Sequence, residues 1–128
     1  MTAMAIETGL VTSMRLADGL LVQLAGELGQ DHLSELRSTL LAPLPDDCRD
    51  VVIDAGDVTD VDFAALAVLF AAWAWTEEQG ARFLLSRTSY EFDSVLADNG
   101  VADDLPRLSD LPSAPSAQVI PIQRSAAV

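Results

Sequence analysis

The feature that most narrows what this chain can fold into is an uninterrupted apolar run, Phe63 to Trp75, between an acidic stretch and Glu77-Glu78-Gln79-Gly80. Its 13 residues fall well short of the about 20 that a helix needs to span a bilayer. The run is therefore read as a helix buried in a globular fold, with Gly80 as its C′ residue. Placed at about 100° per residue, Phe63, Leu66, Leu69, Phe70 and Trp73 fall in one sector and are expected to face a sheet. Opposite them stand Ala64, Val68, Ala71 and Trp75, apolar as well but mostly small. Such an outer face calls for a cover, because burying a tryptophan side chain contributes roughly 3 kcal/mol. Three covers are open at this point: a partner protein, a second copy, or the chain's own Val119–Ile122.

The flanking segments read as alternating strands and helices. Leu10–Leu16 and Leu20–Gly26 are strands joined through Asp18-Gly19, a hairpin signal. Leu33, Leu36 and Leu40 mark one stripe of a helix, with Asp31 as its N-cap and Pro43 and Pro45 beyond its end. Val51-Val52-Ile53 has the pattern of a strand covered on both faces, and Asp54 to Asp62 reads as a loop. Ala81–Ser86 is another strand. Thr88-Ser89-Tyr90-Glu91 is a capping box, with Thr88 as N-cap, for a helix through Phe92, Val95 and Leu96 that stops at Asn99-Gly100. Leu105–Leu111 reads as a last short strand broken by Pro106. The order ββαβαβα(β) makes the class α/β with one antiparallel edge. Residues 1–111 are expected to form a single domain, and 112–128 a flexible C-terminal tail.

Composition closes off several functions. Twenty acidic residues stand against seven basic ones, all arginine, for a net charge of −13. Such a surface repels phosphate backbones and anionic headgroups, so neither nucleic acid nor a membrane is an expected partner, whereas a basic protein surface is. A single cysteine and a single histidine rule out a disulfide framework and a Cys/His zinc cluster. Cys48, between Asp47 and Arg49, reads as an exposed thiol whose acidic neighbours raise its pKa; His32 reads as solvent-facing. Asp54, Asp57, Asp60 and Asp62 put four carboxylates in nine residues, but without the glycine and glutamate that a calcium loop requires. They read as an acidic rim, with Asp62 as the N-cap of the apolar helix. No metal, cofactor or catalytic group is expected. Glu7 near the start, with no cationic stretch leading into an apolar one, gives no secretory signal, so the expected location is the cytoplasm.

In order and spacing, several segments resemble the STAS domain family, and in particular bacterial anti-sigma factor antagonists. They are Gly26-Glu27-Leu28, Val51–Asp54 leading into Asp57-Val58-Thr59, Asp62–Leu69, Arg82–Leu85 and Val95–Val101. The likeness covers Leu10 to Leu105. It implies a mixed four- to five-stranded sheet with an antiparallel edge strand, three or four helices, and a non-catalytic protein-interaction domain. The partner it implies is an anti-sigma factor of histidine-kinase-like ATPase fold. In such antagonists that partner phosphorylates a serine in an Asp-Ser-Ser-Gly motif and binding is lost, because a dianion at a docked interface must be desolvated beside the aspartate.

Asp62 matches the motif's aspartate, but Phe63, Ala64 and Ala65 stand in place of Ser, Ser and Gly. Ala64 occupies the phosphoacceptor position without a hydroxyl, and Gly29 replaces the aspartate that commonly follows Gly-Glu-Leu. The expectation is a docking surface without its switch. Its partner-binding residues are Glu27, Asp60, Asp62, Phe63, Ala64, Val68, Ala71 and Trp75, with Asp57 and Asp60 steering a basic partner. Two alternatives stand beside it: a STAS structural or regulatory subunit of an ABC transporter or other multiprotein assembly, and a self-associating scaffold that pairs as a homodimer.

Overall fold

Residues 9–110 are described by the computed structural model. The alternating N-terminal residues form the expected hairpin. β1 (Gly9–Arg15) pairs antiparallel with β2 (Gly19–Leu28), with Val11 opposite Leu24 and Arg15 opposite Leu20. Gly19 belongs to the strand and not to the turn's tip. A Cβ there would stand 2.7 Å from the Asp50 carbonyl oxygen, so glycine is what lets β2 approach the start of the next strand.

A 3-10 turn (Gln30–His32) leads into α1 (Leu33–Leu40). The cap read at Asp31 is not formed. His32 holds the N-cap position, no side chain caps the helix, and Asp31 lies inside the preceding turn. Leu36 and Leu40 of the predicted stripe are buried and Leu33 packs at the edge of the core. His32 is half-buried, with Nδ1 3.7 Å from Glu35. Cys48, read as exposed, is instead a buried core residue whose thiol reaches toward the Asp50 carbonyl at 3.6 Å. Burial is the main cause that pushes its pKa up, ahead of its acidic neighbours.

The largest departure from the sequence reading is β3 (Asp50–Val61), which runs parallel to β2 through the stretch read as a loop. The register shows why it was hidden. Gln23 lies beside Asp54 but Ala25 beside Asp57, and Gly26 lies beside Val58 but Glu27 beside Asp60. At each step β3 holds one residue more than β2. Two bulges break the period of two, so the buried positions fall at Val51, Ile53, Ala55, Val58 and Val61.

β4 (Arg82–Thr88) pairs parallel with β3 and completes a four-stranded sheet in the order β1-β2-β3-β4. α2 (Phe63–Glu78) connects them, and Gly80 follows it with φ 86°, the expected C′ residue. α3 (Tyr90–Asp98) is capped by Ser89, not Thr88: the Ser89 hydroxyl accepts the Phe92 N–H at 3.0 Å. Thr88 ends β4, where its hydroxyl donates to Asp93 and accepts from Arg107. Among the described residues the last segment is no strand. It makes one parallel bridge, Leu85 with Arg107, and a 3-10 turn (Leu108–Asp110). The segment 112–128, with Val119–Ile122, lies outside the described residues.

Among the described residues the mixed α/β fold thus has one antiparallel edge and three α-helices. Leu36 and Leu40 of α1, Leu66 and Leu69 of α2, and Phe92 and Leu96 of α3 join one core with Val22, Ile53, Phe83 and Leu85 of the sheet. No helix among the described residues is long and apolar enough to cross a membrane.

α2 packs in a direction the wheel did not give. Ala65, Leu66, Val68, Leu69, Ala72 and Thr76 are buried. Their centre lies between the two predicted sectors, roughly a quarter turn from each. Phe63, expected against the sheet, is 73% exposed, and Val68, expected outside, is 3% exposed. Phe70 and Trp73 sit half-buried on one flank, their rings edge to face at 6.0 Å. Trp75 is half-buried on the other and donates its indole N–H to the Ala42 carbonyl at 3.2 Å. A helix that is apolar all round carries no directional preference of its own. The small side chains of Ala65 and Ala72 lie at the buried centre, with the bulky rings at either side.

Candidate functional site

β3 gives way to α2 at Asp62. Its backbone is extended (φ −84°, ψ 172°) and its Oδ1 accepts the Ala65 N–H at 2.8 Å, the cap the sequence predicts. The Asp62 N–H donates to the Leu28 carbonyl at 3.0 Å, which ties the helix entrance to the end of β2. Parallel register then sets Glu27 beside Asp60. Both are exposed, and Asp62 is half-buried. Three carboxylates and the Phe63 ring therefore share one end of the molecule.

Gly29 lies against this entrance. A Cβ there would stand 3.1 Å from Asp62 Oδ2, so an aspartate would bring a second carboxylate beside the first. Glycine spares the site that repulsion. Ala64 occupies the first turn, half-buried. Beyond it Phe63, Ala67, Ala71 and Ala74 are exposed at spacings of four, four and three, a smooth stripe along the helix. Phe63, Leu66, Ala67 and Phe70 also line an apolar groove of about 260 Å³ with Asn99 and Val101, which follow α3.

Of the residues read from sequence, Glu27, Asp60, Asp62, Phe63 and Ala64 come together, and Ala71 is exposed two turns further on. Val68 is sealed in the core and offers almost no surface. The sole donor of Trp75 is taken by Ala42. Ala67, Asn99 and Val101 escaped the sequence reading; Asn99 and Val101 carry no signal beyond marking the end of a helix.

The two remaining aspartates belong elsewhere. Asp54 accepts from Arg87 Nε at 3.0 and 3.1 Å and from the Gly56 N–H at 3.0 Å. Arg87 also lies 3.8 Å from Asp57. Burial alone would raise the Asp54 carboxyl, but the Gly56 N–H, the Arg87 guanidinium and the Gln23 side chain outweigh it and hold its pKa below the usual carboxylate value. The bulged strand separates the four aspartates that the sequence bunches. Among the described residues no group of three or more His, Cys, Asp or Glu is placed to hold a metal ion.

The sheet order, the one-sided helices and the capped acidic entrance define a small mixed α/β domain with an apolar-and-acidic end at the head of α2. A family model described as "Mlab, STAS domain" matches residues 13–108. The chain belongs to the STAS domain family. Among solved structures, an anti-sigma factor antagonist from Mycobacterium paratuberculosis superposes with a TM-score of 0.66 at 17% identity, over 80% of this chain and 89% of that one. The anti-sigma factor antagonist SpoIIAA in its unphosphorylated form gives 0.63 at 11% identity, over 79% and 90%. SLC26A9 gives 0.51 at 11% identity, over 81% of this chain but 23% of that one. At these identities the likeness speaks for the fold. A search of curated proteins finds no match.

Proposed function

We propose that this STAS domain is a non-catalytic protein-interaction module that acts as an anti-sigma factor antagonist. In this reading it works in the cytoplasm and docks an anti-sigma factor of histidine-kinase-like ATPase fold on the head of α2, with neither nucleic acid nor membrane as direct partner. One observation carries it: the Phe63 ring is 73% exposed beside an apolar groove and within an acidic rim. A large ring left in water next to an apolar hollow is the pattern of an interface anchor. Glu27, Asp60 and Asp62 form the rim and steer a basic partner. Ala64, Ala71 and the uncovered edge of Trp75 extend the contact, and Val68 supports it from beneath. Ala64 stands where the family's phosphoacceptor does and has no hydroxyl, so that off-switch is missing and affinity alone governs release.

A second reading, a structural subunit of a larger assembly, is favoured by the recurrence of the fold as under a quarter of the SLC26A9 chain. Affinity capture with the tagged wild type and with Phe63→Glu separates the two. The antagonist reading expects a kinase-type ATPase with the wild type and its loss with the variant, with residues 60–70 unmodified after incubation with ATP. Capture of a transporter ATPase, or capture indifferent to Phe63→Glu, overturns it.

A further inference from the structure

The two edges of the sheet are finished differently. At β4 the chain returns to close the edge: the Leu85 N–H donates to the Pro106 carbonyl at 2.9 Å, Leu85 bridges to Arg107, and Arg107 pairs with Asp93 at 2.9 Å. β1 forms the opposite edge and, among the described residues, pairs with β2 alone. An edge strand turns every second N–H and C=O outward, and proteins blunt such an edge with lysine, proline, a bulge or extreme shortness. β1 uses none of these devices. It is seven residues long, holds neither proline nor lysine, and keeps an unbroken register with β2 from Gly9 to Arg15. Thr12 and Ser13 are exposed, Met14 is 56% exposed, and Leu16 just beyond the strand is 40% exposed.

We infer that β1 is a self-association edge: two copies pair β1 with β1, antiparallel about a two-fold axis at Ser13, and join their sheets into one. Charge fits a second copy. The chain holds 20 acidic residues, yet residues 8–17 contain none, and Arg15 is their one charged side chain. Two-fold antiparallel pairing puts the two Arg15 side chains at opposite ends of the ladder, each already matched by Asp47 of its own chain at 3.3 Å. A basic segment, which the acidic surface attracts elsewhere, finds no carboxylate on this strand, whereas a second β1 brings a near-neutral strand of equal length. In this register Ser13 faces Ser13 of the other copy and Thr12 faces its Met14, so like sides of the two sheets stay together and both helix layers lie on one side. A ladder of seven residues is about 24 Å long. Such a contact stands at the small end of protein interfaces, so the pairing is reversible and depends on concentration. The inference does not depend on the function proposed for α2.

The test is sedimentation velocity of the full chain from micromolar to near-millimolar concentration, with amide hydrogen exchange at both limits. The wild type is expected to shift from monomer towards dimer as concentration rises. The outward amides of β1 are expected to exchange several-fold more slowly at the upper limit, while those facing β2 are protected at both. Thr12→Lys combined with Met14→Lys sets like charges across the ladder at exposed positions and is expected to abolish the dimer, with the far-ultraviolet circular dichroism unchanged. Phe63→Glu is expected to leave the dimer intact. A monomer throughout the range overturns the inference, as does a dimer that survives the two lysines or is lost with Phe63→Glu. Outward β1 amides equally protected at both limits assign the edge to the chain itself and overturn it too; the wild-type exchange data decide this even where the lysine variant fails to fold.

Discussion

The two ends of α2 are built from the same kinds of residue and used in opposite ways. At its head an aromatic ring stands 73% exposed above a half-buried aspartate cap. At its foot Trp75 is half-buried with its N–H held by Ala42, and Thr76 is 1% exposed, its carbonyl accepting from Gln79 and Ala81. Hydrophobicity does not separate Phe63 from Trp75; neighbours do. The chain after α1 supplies a carbonyl and a wall to one ring, and the other is left facing water. An apolar residue in a helix of this kind is core or surface according to what the fold brings beside it.

Substitutions at Trp75, Phe63 and Asp62 break or sharpen that contrast, and the largest effect belongs to the foot. Trp75→Ala is expected to cost about 2 kcal/mol, from lost packing and an Ala42 carbonyl deprived of its donor. Phe63→Ala is expected to cost less than about 0.5 kcal/mol, as surface changes do. Urea unfolding of the two variants measures both, and equal losses would erase the distinction between the ends.

An intermediate effect is expected at the cap. Asp62→Ala removes the acceptor of the Ala65 N–H and should cost about 1 kcal/mol, whereas Asp62→Asn retains an acceptor and most of that stability. If Asp62→Asn also slows association with a basic partner, charge and cap act separately at the same residue. Stopped-flow association at two salt concentrations reads this out.

A pH-dependent effect is expected on the other side of the sheet, at Asp54. Folding lowers the pKa of this carboxyl. The stability it contributes is therefore present above its unfolded pKa of about 3.9 and is lost as pH falls through the lower folded value. Denaturation curves between neutral and strongly acidic pH should show the wild type losing more stability than Asp54→Asn. Identical pH profiles would mean that the Arg87 and Gly56 contacts do not favour the ionised form.

Legibility followed range. The Asp62 cap, the Gly80 terminus, the antiparallel pairing of the first two strands and the stripe of α1 each rest on residues a few positions apart and are found as read, whereas the tip of the hairpin falls before Gly19 and not on Asp18-Gly19. Asp31 and Thr88 miss their caps narrowly: a 3-10 turn claims Asp31, and β4 runs on through Thr88 and leaves Ser89 to hold the extended N-cap geometry. The second half of β3 was masked by its two bulges, which spoil alternation in a stretch rich in Asp, Gly and Thr. The groove eluded the sequence because Phe63 and Val101 are far apart along the chain and meet only where α2 lies against the end of α3.

By itself the sequence determined the order of strands and helices, the antiparallel edge and the capped, acidic entrance to an apolar helix, because side-chain period and capping act over a few residues. Only the tertiary structure decided which side of α2 is core, which aspartates pair with Arg87 and which remain at the helix entrance. Those outcomes depend on the register between strands and on where the smallest side chains let the helix settle onto the sheet, and a helix apolar on every side holds no information about either.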